Sequence, residues 1–170
     1  MQPNYFHDEP ATNVEFRQVG EIPTIVQKAT DHPMTDMAEI FDSTFSALMP
    51  MLQNGEIQPT GPGFALHYRQ PTDTATFGVG LPVDTPLDSA RSTDTGVVLE
   101  PETIPGGQIA RYSHIGSYDG LPDAWGTFME GIIAAGKQPA LPFWEIYVTE
   151  PTPDTDPATL RTDLVTLISD

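Results

Sequence analysis

The chain alternates between stretches of period two and stretches of helical spacing. Val14-Glu15-Phe16-Arg17-Gln18-Val19 places apolar and polar residues in turn and predicts a strand, and Thr24 to Ala29 predicts a second one after Pro23. From Asp36 to Leu52 the apolar positions Met37, Ile40, Phe41, Phe45, Leu48, Met49 and Leu52 form one stripe, which predicts a helix with Thr35 or Asp36 as N-cap and Asn54-Gly55 as its stop. Strands follow over Phe64–Gln70 and Thr76–Val83, joined by the Pro71-Thr72-Asp73 turn. After a polar connector from Asp84 to Thr95 and a short apolar run, Val97 to Leu99, the pattern resumes. A strand is expected over Gln108–Ile115, a helix from about Asp123 to Ala135 stopped by Gly136, and a strand over Phe143–Glu150. An acidic, Pro-rich loop from Pro151 to Pro157 and a last strand over Arg161–Ile168 complete the chain.

Both halves thus run strand, helix, strand, strand. Phe64-Ala65-Leu66-His67-Tyr68 and Phe143-Trp144-Glu145-Ile146-Tyr147 hold the same place after each helix, with Phe and Tyr four apart. This order suggests a duplicated unit, about 13–84 and 96–170, behind a loose N-terminal tail over 1–12. The fold class is α+β: a tandem βαββ repeat whose antiparallel sheet carries two helices on one face. The other face is expected to curl into a ligand cleft between the halves.

The strand at 143–148 carries the most unusual chemistry. Trp144, Ile146 and Val148 share one apolar face, expected to pack on the helices, and Phe143, Glu145 and Tyr147 share the other. A carboxylate between two aromatics suits a cation, which is drawn both to ring faces and to a desolvated charge. The same Glu also fits an edge strand with its side chain in water.

Composition narrows the remaining classes. Twenty-four acidic residues against seven basic ones leave a net charge of −17, which repels phosphate and argues against nucleic-acid binding by this chain. The same charge attracts cationic ligands, or reflects an acid-rich proteome. There is no cysteine, so disulfides, thiol catalysis and thiolate metal sites are excluded. His7, His32, His67 and His114 have no metal-ligand spacing. Gly106-Gly107 lacks the Lys and the helix of a phosphate loop, and Gly116 to Gly120 lacks the spacing of a nucleophile elbow. No metal and no cofactor is expected. The polar, acidic N-terminus and the absence of a long apolar run give no signal peptide and no membrane span, so a cytoplasmic location is the expectation.

The run from Pro105 to Tyr118 (PGGQIARYSHIGSY), followed by Leu121, Ala124-Trp125 and Trp144-Glu145-Ile146-Tyr147, resembles the GyrI-like small-molecule-binding domain. In the first half Gly61-Pro62-Gly63-Phe64 with Tyr68, and Gly80-Leu81-Pro82-Val83, fit the same family. The resemblance spans about residues 12–170. It implies a cleft between two βαββ halves, of the kind that serves as the effector-binding part of AraC-type and MerR-type multidrug regulators. It also implies that Glu145 is the acid meeting a lipophilic or cationic aromatic ligand. Tyr147, Phe143, Tyr68, Phe64 and Trp125 are the expected walls. No helix-turn-helix accompanies the domain in this sequence, so a stand-alone binding protein is the leading expectation. Two alternatives come with the resemblance. One is a hydrolase of strained, cyclopropane-type toxins using Glu145 with Tyr147 or Tyr68. The other is an inhibitor that binds a DNA-handling protein partner.

Overall fold

The computed structural model describes residues 8–149 and 154–169. Among the described residues nine strands form one antiparallel sheet. They are β1 (Glu15–Val19), β2 (Ile22–Pro33), β3 (Phe64–His67), β4 (Thr74–Pro82), β5 (Arg91–Ser92), β6 (Val98–Ile104), β7 (Gly107–Ile115), β8 (Gln138–Tyr147) and β9 (Arg161–Ser169). The described residues also form two α-helices, α1 (Met37–Gln53) and α2 (Leu121–Ala134). Asp36 caps α1 by position, though its side chain makes no capping hydrogen bond, and Asn54 followed by Gly55 at φ +73° ends it as the sequence suggests. Val98 and Leu99 of the run at 97–99 begin the longer β6, and β2 extends past both ends of the predicted segment. The Pro-rich loop expected over 151–157 and the end of the expected strand at Glu150 fall partly outside the described residues, as do Met1–His7 of the expected tail.

The strand order β1-β7-β9-β8-β3-β4-β2-β6-β5 has a pseudo-twofold between β8 and β3. It relates β7, α2, β8 and β9 to β2, α1, β3 and β4, and β1 to β6. The connections decide the shape. Only Gly20 and Glu21 join β1 to β2, and only Pro105 and Gly106 join β6 to β7, yet each pair lies near opposite ends of the sheet. Linkers this short require the ends to come together, so the sheet rolls. The linkers touch where they cross: a Cβ on Gly106 would lie 2.9 Å from both Val19 O and Glu21 N.

Rolling encloses one face completely. Trp144, Ile146, Phe64, Leu66, Val26, Ile104, Ile109 and Val165 fill it as one buried cluster, with Tyr68 and Val148 packed against them and no helix involved. This corrects the expected placement of Trp144, Ile146 and Val148 against the helices. The curled face is packed core rather than a cleft. The helices cover the opposite face. Ala47, Leu48 and Met51 of α1 pack on Ile25, Leu81 and Leu99, while Ala124, Phe128 and Ile132 of α2 pack on Ala110 and Leu164.

Part of the expected tail is anchored. Ala11 is buried, its N–H donates to Ser113 Oγ and its carbonyl accepts from Ser113 N–H. Arg111 donates to Glu9 O, and Arg161 to Asp8 O. Beneath them Arg111 and Asp163, each 1% exposed, form a buried ion pair that Ser113 and Arg161 also join.

Candidate functional site

Along β8 the helix-facing residues are Phe143, Glu145 and Tyr147, and the antiparallel register carries that face across to β3. Ala65 lies opposite Glu145, and His67 lies opposite Phe143. Directly opposed residues share a face, so Phe64, opposite Ile146, belongs to the enclosed side. The sequence match of Phe64–Tyr68 to Phe143–Tyr147 is therefore out of register by one residue, which exchanges the two faces of a strand.

Between the helices a cavity of about 470 Å³ opens onto this face, within the range of small-molecule sites. The first half contributes Met34, Met37, His67 and Pro71; the second contributes Leu121, Trp125, Met129, Phe143 and Glu145. The structure thus brings together three of the six sequence candidates: Glu145, Phe143 and Trp125. Tyr147 sits behind Glu145, its ring edge-on to Phe41 at 5.5 Å and to Tyr118 at 6.1 Å. Phe64 and Tyr68 lie on the other side of the sheet. Phe64 is fully buried in the rolled core, and the Tyr68 hydroxyl donates to Glu102 Oε2 at 2.6 Å beside Lys28. Neither forms a wall of the cleft, which corrects both expectations.

Glu145 holds its position through two neutral donors. Trp125 Nε1–H donates to Oε2 at 2.7 Å, and the Tyr147 hydroxyl donates to Oε1 at 2.8 Å. Among the described residues no Lys, Arg or His forms an ion pair with it. Burial, then the charge of Glu145 and the hydrogen bond to it, push the Tyr147 phenol well above its usual value. Burial and the same charge raise Tyr118 as well. Trp125 meets Phe143 edge-on at 4.9 Å, so indole, phenyl and carboxylate form one corner of the cavity.

Several lining residues escaped the sequence reading. His67 has no metal-ligand spacing in the sequence; the signal it carries is its position on β3, once the register is known. Met34, Met37 and Met129 also line the cavity, and flexible thioethers suit ligands of varied shape. Among the described residues no cluster of three or more His, Asp or Glu could hold a metal ion, and no helix is long and apolar enough to cross a membrane.

No curated protein matches the sequence. Among solved structures, EcmrR bound to DNA in EcmrR-RPo is similar with a TM-score of 0.72 at 13% identity, over 92% of this chain and 57% of that one. The chain thus spans little more than half of that protein. The EcmrR C-terminal domain alone gives 0.71 at 15% identity, over 92% and 97%. A hydrolase from Listeria innocua gives 0.66 at 15%, over 95% and 94%. SAV2435 bound to tetraphenylphosphonium gives 0.64 at 12%, over 93% and 94%. At such identities the likeness is one of fold. The sequence itself matches the family model of the GyrI-like small molecule binding domain over residues 12–168. That match covers both halves and the cleft between their helices, and the chain belongs to the GyrI-like small molecule binding domain family.

Proposed function

We propose that the cleft between α1 and α2 binds lipophilic aromatic cations, with Glu145 as the charge partner and Trp125 and Phe143 as the aromatic walls. The observation that carries this reading is the setting of Glu145, whose carboxylate lies in an aromatic corner with both oxygens held by neutral donors and, among the described residues, no ion-pair partner. Neutral donors orient a carboxylate without cancelling its charge, so the field remains for an incoming cation. Tyr147 acts as a positioning residue. The net charge of −17 adds long-range attraction for cations, which salt weakens.

The test is calorimetric titration with tetraphenylphosphonium and with neutral triphenylphosphine oxide. Glu145→Gln weakens the cation by about 1–3 kcal/mol and leaves the neutral compound within about twofold. Equal loss for both compounds removes Glu145 from the charge role.

The contact of Glu145 with Tyr147 supports a second reading, hydrolysis of a strained, electrophilic ring. Glu145 would take a proton from water as the water oxygen attacks a ring carbon. The ring bond would break toward an electron-withdrawing group, which takes up a proton in turn. Tyr68, on the far side of the sheet, has no part in it. Repeated turnover of a cyclopropyl ketone, followed by mass spectrometry and lost in Glu145→Gln and Tyr147→Phe, establishes this reading. Its absence across a panel of such compounds leaves the binding reading alone.

A further inference from the structure

The helix face of β3 carries a feature that packing does not require. Register sets His67 directly between Phe77 of β4 and Phe143 of β8. The three rings stack across the strands, with His67 to Phe143 at 4.8 Å and 8° between planes, and His67 to Phe77 at 5.6 Å and 26°. His67 is 4% exposed and borders the cleft, and its Nδ1 is enclosed with no hydrogen-bond partner among the described residues. A phenyl ring would complete this row equally well and leave no nitrogen unpaired. Enclosure also lowers the imidazole pKa to about 4, so the ring is neutral at physiological pH. A neutral imidazole has one N–H and one acceptor nitrogen. An orphaned buried acceptor is better tolerated than an orphaned N–H, which puts the proton on Nε2 and leaves Nδ1 as the unpaired acceptor.

We propose that His67 is a specificity-determining residue of the cleft, offering Nε2–H to an acceptor oxygen on the ligand. This rests on the binding reading above and narrows it to aryl cations that also carry a carbonyl, ether or hydroxyl oxygen. Glu145 and His67 are diagonal neighbours on adjacent strands, which spaces them roughly 7–8 Å apart. Cationic centre and oxygen are then held about one phenyl ring apart. A site built to hydrogen-bond a ligand disfavours an isostere that lacks the partner atom.

The test compares (4-benzoylbenzyl)trimethylammonium with (4-benzylbenzyl)trimethylammonium. The two share one cation and one shape and differ by a carbonyl oxygen. Wild type is expected to prefer the benzoyl compound by about tenfold. His67→Phe is expected to abolish that preference, the benzoyl compound losing about tenfold relative to the benzyl one. No preference in wild type, or the same preference in His67→Phe, overturns the proposal. Failure of both cations to bind wild type overturns the binding reading itself, and this inference with it. If His67→Phe does not fold, nitrogen-15 histidine spectra of wild type decide. The His67 Nε2 resonance shifts with the benzoyl compound and not with the benzyl one, and an identical response to both overturns the proposal.

Discussion

Trp125 in α2 donates its indole hydrogen to Glu145 Oε2 on β8 over 2.7 Å, tying the second helix to the floor of the cleft. The bond joins an element of local sequence contacts to a strand 20 residues on, and it sets the distance between helix and sheet at the cavity's corner. Trp125→Phe keeps most of the edge-on stack with Phe143 but removes the donor. It should destabilise the protein by about 1 kcal/mol in urea unfolding. The cavity corner should widen, and the affinity for tetraphenylphosphonium should change with it.

His67 makes stability depend on pH. Its folded pKa of about 4 lies below the ordinary 6.5, so the unfolded chain binds the proton more readily. Its contribution is fully present above pH 6.5 and is lost as pH falls toward 4, on the order of 3 kcal/mol over that window. Chemical unfolding at pH 7 and pH 5 should show roughly 2 kcal/mol of this loss in wild type, with His67→Phe markedly flatter over the same interval. Parallel profiles would mean that His67 is not the responsible group.

Tyr68 belongs to the structure of the rolled sheet rather than to the cleft. Burial works to raise the Glu102 pKa, but hydrogen bonds from Tyr68 and from Thr103 N–H, with the charge of Lys28, outweigh it and lower it below 4.5. That contribution is present above pH 4.5 and is lost as pH falls below it. Tyr68→Phe should cost about 1 kcal/mol at neutral pH and make the acid loss shallower, because one of the groups lowering that pKa is gone. Titration with tetraphenylphosphonium should match wild type. A large loss of cation binding would place Tyr68 functionally in the cleft after all.

Two glycines should respond in opposite directions. A Cβ on Gly80 would lie 1.7 Å from Ile25 O on the neighbouring β2, so Gly80→Ala should abolish folding or separate β2 from β4. A Cβ on Gly126 in α2 meets nothing within 4 Å, and alanine there restores helix propensity. Gly126→Ala should raise stability by about 0.5–1 kcal/mol in urea unfolding.

Periodicity alone determined much of this protein. Helical spacing over 36–52 and 123–135 and alternation in the strands located both helices and the repeated order, because those patterns report which residues share a side within one element. The isolation of Glu145 between Phe143 and Tyr147 was equally local. What periodicity cannot say is which side of a strand meets which neighbour. The Trp144-Ile146 face of β8 is apolar throughout while the Phe143-Tyr147 face carries Glu145, so local pattern points to the wrong face for the helices. The choice came from two-residue linkers that roll the sheet and enclose the Trp144 side, and strand order is a property of long-range pairing. The same pairing set β3 against β8 with Ala65 and His67, rather than Phe64 and Tyr68, beside Glu145. A one-residue change in register leaves local composition untouched and exchanges every side chain between core and cleft, so only the tertiary structure could place His67 at the site.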